Sequence, residues 1–269
     1  MKVGDFVEFL RDEIIEEKGC EASILRLDKI HPIISGNKYF KLKYYLEEAI
    51  KSQRDTVITF GGYYSNHLHA TAFACKQFGL KSIGYVRGSE PATINNTLKD
   101  CINYGMDLKF ISHGEFEVIQ QNINTNPPNN AQIIPMGGNG ILGVKGASEI
   151  MHFEGAKQFD YVVAAAGTGT MASGLLDKLE KDQHLILISA VKNNFSLKDE
   201  MFTIKPSLTN KDNQLTIHFE FHCGGFGKSN QMLFDTMNWF YEQHQIATDF
   251  VYTGKMILGF YELLKNHKE

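Results

Sequence analysis

The stretch Ser35-Gly36-Asn37-Lys38-Tyr39-Phe40-Lys41-Leu42 sets a lysine at the start of a helix. A Gly-Asn turn precedes Lys38, and apolar residues at 39, 42, 45, 46 and 49 recur at helical spacing as far as Ile50. The partial positive charge of a helix N-terminus disfavours an ammonium there. That lowers the pKa of the amine and suits a lysine that forms a Schiff base with a carbonyl. The lead-in, Leu25-Arg26-Leu27-Asp28 and then His31-Pro32, reads as the end of a strand and an extended loop. A solvated surface lysine after a turn has the same local signature, so the rest of the chain decides between the two.

Around this stretch, strands and helices alternate. Apolar runs at 56–60, 81–86, 108–111, 132–135, 161–166 and 185–190 read as strands, with helical periodicity at 68–78, 97–104, 116–122, 144–157 and 171–180 between them. Further helices are expected at 5–18, 230–245 and 255–265, and further strands at 23–27 and 215–221. The alternation argues for an α/β fold with largely parallel sheet and right-handed crossovers. Gly61-Gly62, Gly167 and Gly224-Gly225 each fall just past the carboxyl end of an expected strand. Open parallel sheets bind ligands at that edge, so the three turns point to one shared site.

Composition narrows the function classes. The 269 residues are 43% hydrophobic and 22% charged, which is ordinary for a soluble globular chain. A net charge of −4, from 31 acids against 27 bases, recommends neither nucleic acid nor an anionic membrane as partner. Cys20, Cys75, Cys101 and Cys223 show no CxxC spacing, so neither a zinc site nor a disulfide framework is expected, and a reducing, cytoplasmic setting fits. No apolar run reaches membrane-spanning length, and the first residues do not read as a signal peptide. His67 and His69 are two apart, not the i, i+4 pair that a helix offers a metal, so no metal is expected.

Four short motifs carry chemistry, each with a plainer reading beside it. Gly167-Thr168-Gly169-Thr170 is a strand-to-helix loop whose N–H groups and helix dipole form an anion cradle; a ligand-free tight turn competes with that. Gly167-x-Gly169-x-x-Ala172 meets the relaxed dinucleotide pattern, but the next strand ends at Ser189-Ala190-Val191-Lys192 without the acid a ribose needs. A phosphate monoester fits better. Gly224-Gly225-Phe226-Gly227-Lys228-Ser229 fails as a P-loop because the required first glycine falls on His222. Ser65-Asn66-His67 caps a helix, which explains its residue types, and the same free N–H groups could bind a carboxylate. In Val251-Tyr252-Thr253-Gly254-Lys255, Tyr252 packs on the core and Thr253 caps a helix in the plainer reading. Phe234, Trp239, Phe240 and Tyr241 read as core or interface.

Taken together and in order, these pieces resemble the pyridoxal-phosphate-dependent enzymes of fold type II, which are tryptophan synthase beta-like, and within them the 1-aminocyclopropane-1-carboxylate deaminase and D-cysteine desulfhydrase group. Arg26-Leu27-Asp28 with Ser35-Gly36-Asn37-Lys38 is similar to that group's lysine segment, and Gly61-Gly62-x-x-Ser65-Asn66-His67 to its substrate-carboxylate loop. Gly167 to Thr170 resembles its phosphate cup, and Tyr252-Thr253-Gly254-Lys255 its C-terminal motif. The resemblance runs from about residue 24 to 264. It implies two domains of open, twisted, mostly parallel sheet with helices on both faces: 42–136, inserted into 1–41 plus 137–269, with pyridoxal 5'-phosphate in the cleft.

The resemblance also implies roles. Lys38 would hold the cofactor and move the substrate's α-proton. Ser65 and Tyr252 would be the acid–base or nucleophilic hydroxyls, and Asn66 would bond the cofactor's phenolic oxygen. His67 with the 65–67 backbone would hold the substrate carboxylate, and Gly167, Thr168, Gly169 and Thr170 would grip the phosphate. Thr253 would face the pyridine nitrogen, where the deaminases resemble one another in having a glutamate. A hydroxyl there makes the ring a weaker electron sink and tilts the reading from cyclopropane opening to β-elimination. The expected activity is release of a keto acid and ammonia from a small amino acid by a homodimer. Phe226, Met171, Tyr63 and Met136 depart from the group's pattern and imply a narrowed pocket or an altered substrate, or a cofactor-binding homologue with reduced activity.

Overall fold

The computed structural model describes residues 6–153, 156 and 158–266. The chain forms two compact units, Met1–Arg26 with Ser148–Glu269 (the terminal unit) and Leu27–Ala147 (the inserted unit). In the terminal unit's opening segment, strand β1 (Val7–Leu10) is followed by helix α1 (Glu13–Glu17) and strand β2 (Ala22–Leu25), and the strands pair antiparallel with Val7 opposite Leu25. The expected helix over 5–18 is thus a strand and a short helix in its described part, residue 5 lying outside the described residues. Asp12 divides them: its backbone is extended (φ −153°) and its carboxylate accepts from Ile14 N and Ile15 N, capping α1.

The inserted unit carries helix α2 (Asn37–Lys51), strand β3 (Thr56–Gly61), helix α3 (Asn66–Phe78), strand β4 (Lys81–Arg87), helix α4 (Asn96–Asn103), strand β5 (Met106–Ile111), helix α5 (His113–Thr125), strand β6 (Ala131–Ile134) and helix α6 (Ile141–Ser148). Its four strands are all parallel, in the order β5-β4-β3-β6. The chain therefore runs outward from β3 to β5 and then returns to β3's other side. That reversal makes the carboxyl ends of β3 and β6 a topological switch point, the crevice where such sheets take ligands. Leu42, Tyr45 and Leu46 of α2 share a core with Val57, Ala70, Ala74, Cys75 and Ile134. Each leucine, valine or isoleucine of this core contributes roughly 1.5–3 kcal/mol by leaving water, and the alanines less. This packing places the Lys38 segment in the same unit as β3, α3 and β6, so the compact boundaries fall at 26/27 and 147/148 where the resemblance implied 41/42 and 136/137.

The terminal unit continues with strand β7 (Tyr161–Ala166), helix α7 (Thr170–Lys178), strand β8 (His184–Ser189), helix α8 (Leu197–Ile204), strand β9 (Leu215–His218), helix α9 (Gln231–His244) and helix α10 (Thr253–Asn266). The strands are parallel in the order β7-β8-β9. The expected strand over 215–221 stops at His218, and 220–222 form a 3₁₀ turn into the glycine loop. The expected helix over 144–157 starts at Ile141 and gives way to a 3₁₀ turn at Glu149–His152; residues 154, 155 and 157 lie outside the described residues.

Candidate active site

In the inserted unit, the expected site residues gather at the switch point. Gly36 (φ +62°) delivers the chain into α2, so Lys38 stands in that helix's first turn, its Nζ donating to Asn37 Oδ1 at 2.9 Å. One turn on, Lys41 faces inward and is 4% exposed. Its Nζ makes no hydrogen bond or ion pair among the described residues. Burial, and then the neighbouring Lys38 charge, hold its ammonium well below lysine's ordinary range. Past β3, Ser65 caps α3 by accepting from Leu68 N at 3.2 Å, and the first main-chain helical bond is His69 N to Ser65 O. The N–H groups of Asn66 and His67 therefore precede the helical ladder, where a helix offers donors to an anion. A Cβ on Gly61 would lie 2.6 Å from Ser65 Oγ, which is why that turn needs glycine.

His67 is buried against β3, with Nε2 2.8 Å from Thr59 Oγ1, and Thr59 donates to the Ile134 carbonyl at 2.8 Å. Its Nδ1 is buried without a hydrogen-bond partner. Burial, then the charges of Lys38 and Lys41, push the imidazole well below its ordinary range. The loop after β6 closes the corner: a Cβ on Gly138 (φ +74°) would meet Lys41 Cβ at 3.3 Å, Lys41 Cε at 3.5 Å and His67 Cε1 at 3.7 Å. Tyr63, bulky where the resemblance expects a small residue, is tied to the far end of β4, donating to Ser89 O and packing against Gly88.

The terminal unit holds the other expected residues. Gly169 (φ +74°) leads into α7, whose first bond is Ser173 N to Gly169 O at 2.8 Å. Side chains leave no room at the loop. A Cβ on Gly169 would lie 2.7 Å from Met201 Cγ, and one on Gly167 would lie 3.0 Å from Tyr252 Cε1 and 3.2 Å from its hydroxyl. Tyr252 thus stands against the glycine loop, and burial, then Asp249, push its hydroxyl up to about 12, so it keeps its proton. Asn194 Nδ2 steadies the loop by donating to Gly167 O at 3.1 Å, while Thr168 and Thr170 hydroxyls lie 3.3 Å apart. Ser173 Oγ is buried with no partner. Thr253 donates its hydroxyl hydrogen to Asp249 Oδ2 at 2.6 Å. Lys255, wholly buried, donates to Ala190 O and Gly225 O and so pins the 223–227 loop. That places the Phe226 ring edge-on to Tyr252, centroids 5.8 Å apart.

Lys38, Ser65, Asn66 and His67 thus belong to the inserted unit, and Gly167, Thr168, Gly169, Thr170, Tyr252 and Thr253 to the terminal one. Sequence reasoning missed Lys41, Thr59, Gly138, Asn194 and Asp249. Lys41 was findable, because it lies on the same helical face as Leu42, Tyr45 and Ala49, where a lysine is out of place. Among the described residues no cluster of His, Cys, Asp and Glu could hold a metal ion, and no helix is long and apolar enough to cross a membrane.

The inserted unit thus buries a lysine amine beside a second lysine, and the terminal unit turns into α7 through glycines 167 and 169, where a Cβ would press on Tyr252 and Met201. Parallel α/β sheets that end in a glycine-rich helix start are the architecture of proteins that bind phosphorylated ligands. The sequence signature of the pyridoxal-phosphate dependent enzymes matches residues 11–269, and the chain belongs to that family. It is similar to the bifunctional D-cysteine desulfhydrase/1-aminocyclopropane-1-carboxylate deaminase of Arabidopsis thaliana, 32% identical over an alignment of 179 positions that covers 58% of this chain and 44% of that protein. The D-cysteine desulfhydrase of Klebsiella pneumoniae is 25% identical over 90% of this chain and 80% of its own. The crystal structure of an ACC deaminase homologue superposes with a TM-score of 0.78 at 26% identity, over 96% of this chain and 84% of that one. The stretches matched at 32% identity span about half of the relatives concerned, 57% of a Thermotoga maritima protein and 44% of the Arabidopsis one.

Proposed function

We propose that the chain is a pyridoxal-phosphate-dependent lyase of the D-cysteine desulfhydrase kind, acting on a small amino acid that carries a thiol on its β-carbon. The observation that carries the reading is Lys41 of the inserted unit, buried beside Lys38 with no carboxylate partner of its own among the described residues. When bound, pyridoxal phosphate supplies a carbonyl that a lysine amine can hold and a ring that draws electrons from the substrate's α-carbon. Lys38 Nζ is the amine assigned to that carbonyl, and the same atom then takes the α-proton. The N–H groups at the start of α7, with Thr168 and Thr170, hold the phosphate, and the Asn66 side chain holds the ring oxygen. The main-chain N–H groups of Asn66 and His67 hold the substrate carboxylate, with the Ser65 hydroxyl beside them. Tyr252, still protonated, returns a proton to the leaving sulfur.

The balance is cysteine and water to pyruvate, ammonia and hydrogen sulfide. Thr253 contributes less to the choice of reaction than its residue type implied. Its hydrogen goes to Asp249, so toward a ring nitrogen its oxygen can only accept. The choice of elimination leans instead on the relatives named D-cysteine desulfhydrase. A cytoplasmic homodimer is the setting this reading expects. Its test is incubation of the purified protein with D-cysteine, β-chloro-D-alanine and 1-aminocyclopropane-1-carboxylate. Pyruvate from the first two supports it, and 2-oxobutyrate from the third alone would replace it with deamination proper. A yellow protein that releases no keto acid from any would mark a cofactor-binding homologue without elimination chemistry.

A further inference from the structure

Two buried polar atoms give Thr59 and His67 a role that their residue types do not announce. Thr59 Oγ1 lies 2.8 Å from the Ile134 carbonyl oxygen and 2.8 Å from His67 Nε2. A hydroxyl has one hydrogen and a carbonyl can only accept, so that hydrogen goes to Ile134. Nε2 must then carry the ring's hydrogen and donate it to Oγ1. Burial and the two nearby lysines keep the ring neutral, which leaves Nδ1 a bare lone pair, buried and without a partner. A lone pair cannot bind a carboxylate. It needs an N–H or an O–H.

Lys41 is the candidate donor on the other side of Gly138. Its Nζ has no hydrogen-bond partner among the described residues. Its Cε and His67 Cε1 lie 3.5 and 3.7 Å from one point, the position a Cβ on Gly138 would take. Nζ is bonded to the first of these carbons and Nδ1 to the second. The absence of a side chain at Gly138 leaves room between the two for a turn about the last side-chain torsion of Lys41.

We propose that Thr59 and His67 are positioning residues for Lys41, through a chain of three hydrogen bonds: Lys41 N–H to His67 Nδ1, Nε2–H to Thr59 Oγ1, and Oγ1–H to the Ile134 carbonyl. The sheet register makes the last link, because Thr59 and Ile134 face each other across β3 and β6 at the switch point. The ring of His67 thereby serves the lysine pair, and the substrate carboxylate is left to main-chain N–H groups. The use of the oriented amine, to meet a ligand's anion beside Lys38, rests on the function proposed above; the bond chain itself does not.

The experiment is nitrogen-15 NMR of the full-length protein with labelled histidine, recorded as purified and again after the cofactor is stripped. His67 should show a single tautomer with hydrogen on Nε2, and an Nδ1 resonance displaced toward its hydrogen-bonded position. K41M should abolish that displacement while leaving Nε2–H in place, and K41Q, which keeps an N–H donor, should restore part of it. T59V should release the tautomer to a mixture and T59S should not. A hydrogen on Nδ1 in the wild type, or an unchanged tautomer in T59V, would overturn the role of Thr59. An Nδ1 signal indifferent to K41M would overturn the link to Lys41. Should K41M fail to fold, a through-space contact between the Lys41 ε-protons and His67 Hε1 in the wild type decides the link, and its absence refutes it. These signals exist with or without cofactor chemistry, so their failure is separable from failure of the proposed activity.

Discussion

Replacing Tyr261 with phenylalanine should destabilise the terminal unit by about 1.5–3 kcal/mol, the usual loss for a hydrogen bond to a charged group. The magnitude follows from the surroundings of Asp12, whose side chain is 2% exposed. One carboxylate oxygen caps α1, accepting from Ile14 N and Ile15 N at 3.0 Å each. The other accepts the Tyr261 hydroxyl at 2.6 Å and lies 3.1 Å from His244 Nε2. Phenylalanine removes one oxygen and no carbon, so no cavity term adds to the loss. His244 remains to hold the second oxygen, which keeps the cost below the roughly 3–5 kcal/mol of stranding a buried charge outright. Asp12→Ala should cost more, since it removes the cap as well, worth about 0.5–2 kcal/mol. The assay is denaturant unfolding followed by tryptophan fluorescence. Trp239 is the chain's single tryptophan and stacks edge-on against Tyr261, centroids 4.8 Å apart, so its signal reports this unit. A midpoint for Tyr261→Phe within error of wild type would refute the claim that this buried cluster joins residue 12 to the last two helices.

Three further outcomes are expected. The folded chain keeps His67 neutral, whereas in the unfolded chain it gains a proton near the ordinary pKa of about 6.5. Below that pH the unfolded state binds more protons, so stability falls with falling pH, by up to about 1.36 kcal/mol per unit from this group. H67Q should therefore flatten the acid side of the stability curve between pH 6.5 and 5, and parallel curves would contradict the assignment. Gly169→Ala should destabilise the α7 start by about 1–3 kcal/mol and lose the cofactor on gel filtration, since the new methyl meets Met201 in a left-handed backbone. Retention of a yellow colour at wild-type level would remove the loop from the phosphate site. A thiol reagent should label Cys20 rapidly in the native protein and the other three slowly, because Cys20 is exposed while burial pushes Cys75 and Cys101 up to about 12. Four equally fast thiols would contradict the described core.

Much of this was legible in residue order. The β-branched run at 56–60 is a strand buried on both faces, 161–166 is a part-buried one, and the glycine after each marks the ligand edge. Where the reading failed, tertiary contact overrode local pattern. Residues 7–10 have the apolar spacing of a helix, yet pairing with 22–25 draws them into a strand, and the extended backbone of Asp12 marks the break. Helix α8 has no strong start signal in the sequence, since Ser196 before it makes no capping bond to the backbone and donates to the Glu200 side chain instead. The site divides in the same way. Lys38, Ser65 and the 167–170 loop announce themselves by turn chemistry, whereas Thr59 looks like any strand threonine until register sets it against Ile134 and His67. Lys41 was hidden by its neighbour, since two lysines three apart read as a solvated face unless the apolar stripe around the second is followed.

The most direct test is to reduce the purified protein with borohydride, digest it and locate the pyridoxyl group by fragmenting the peptide that spans Gly36 to Leu42. The group should be found on Lys38, with Lys41 unmodified. A pyridoxyl group on Lys41, or a coloured, reducible protein that yields this peptide unmodified, would contradict this assignment.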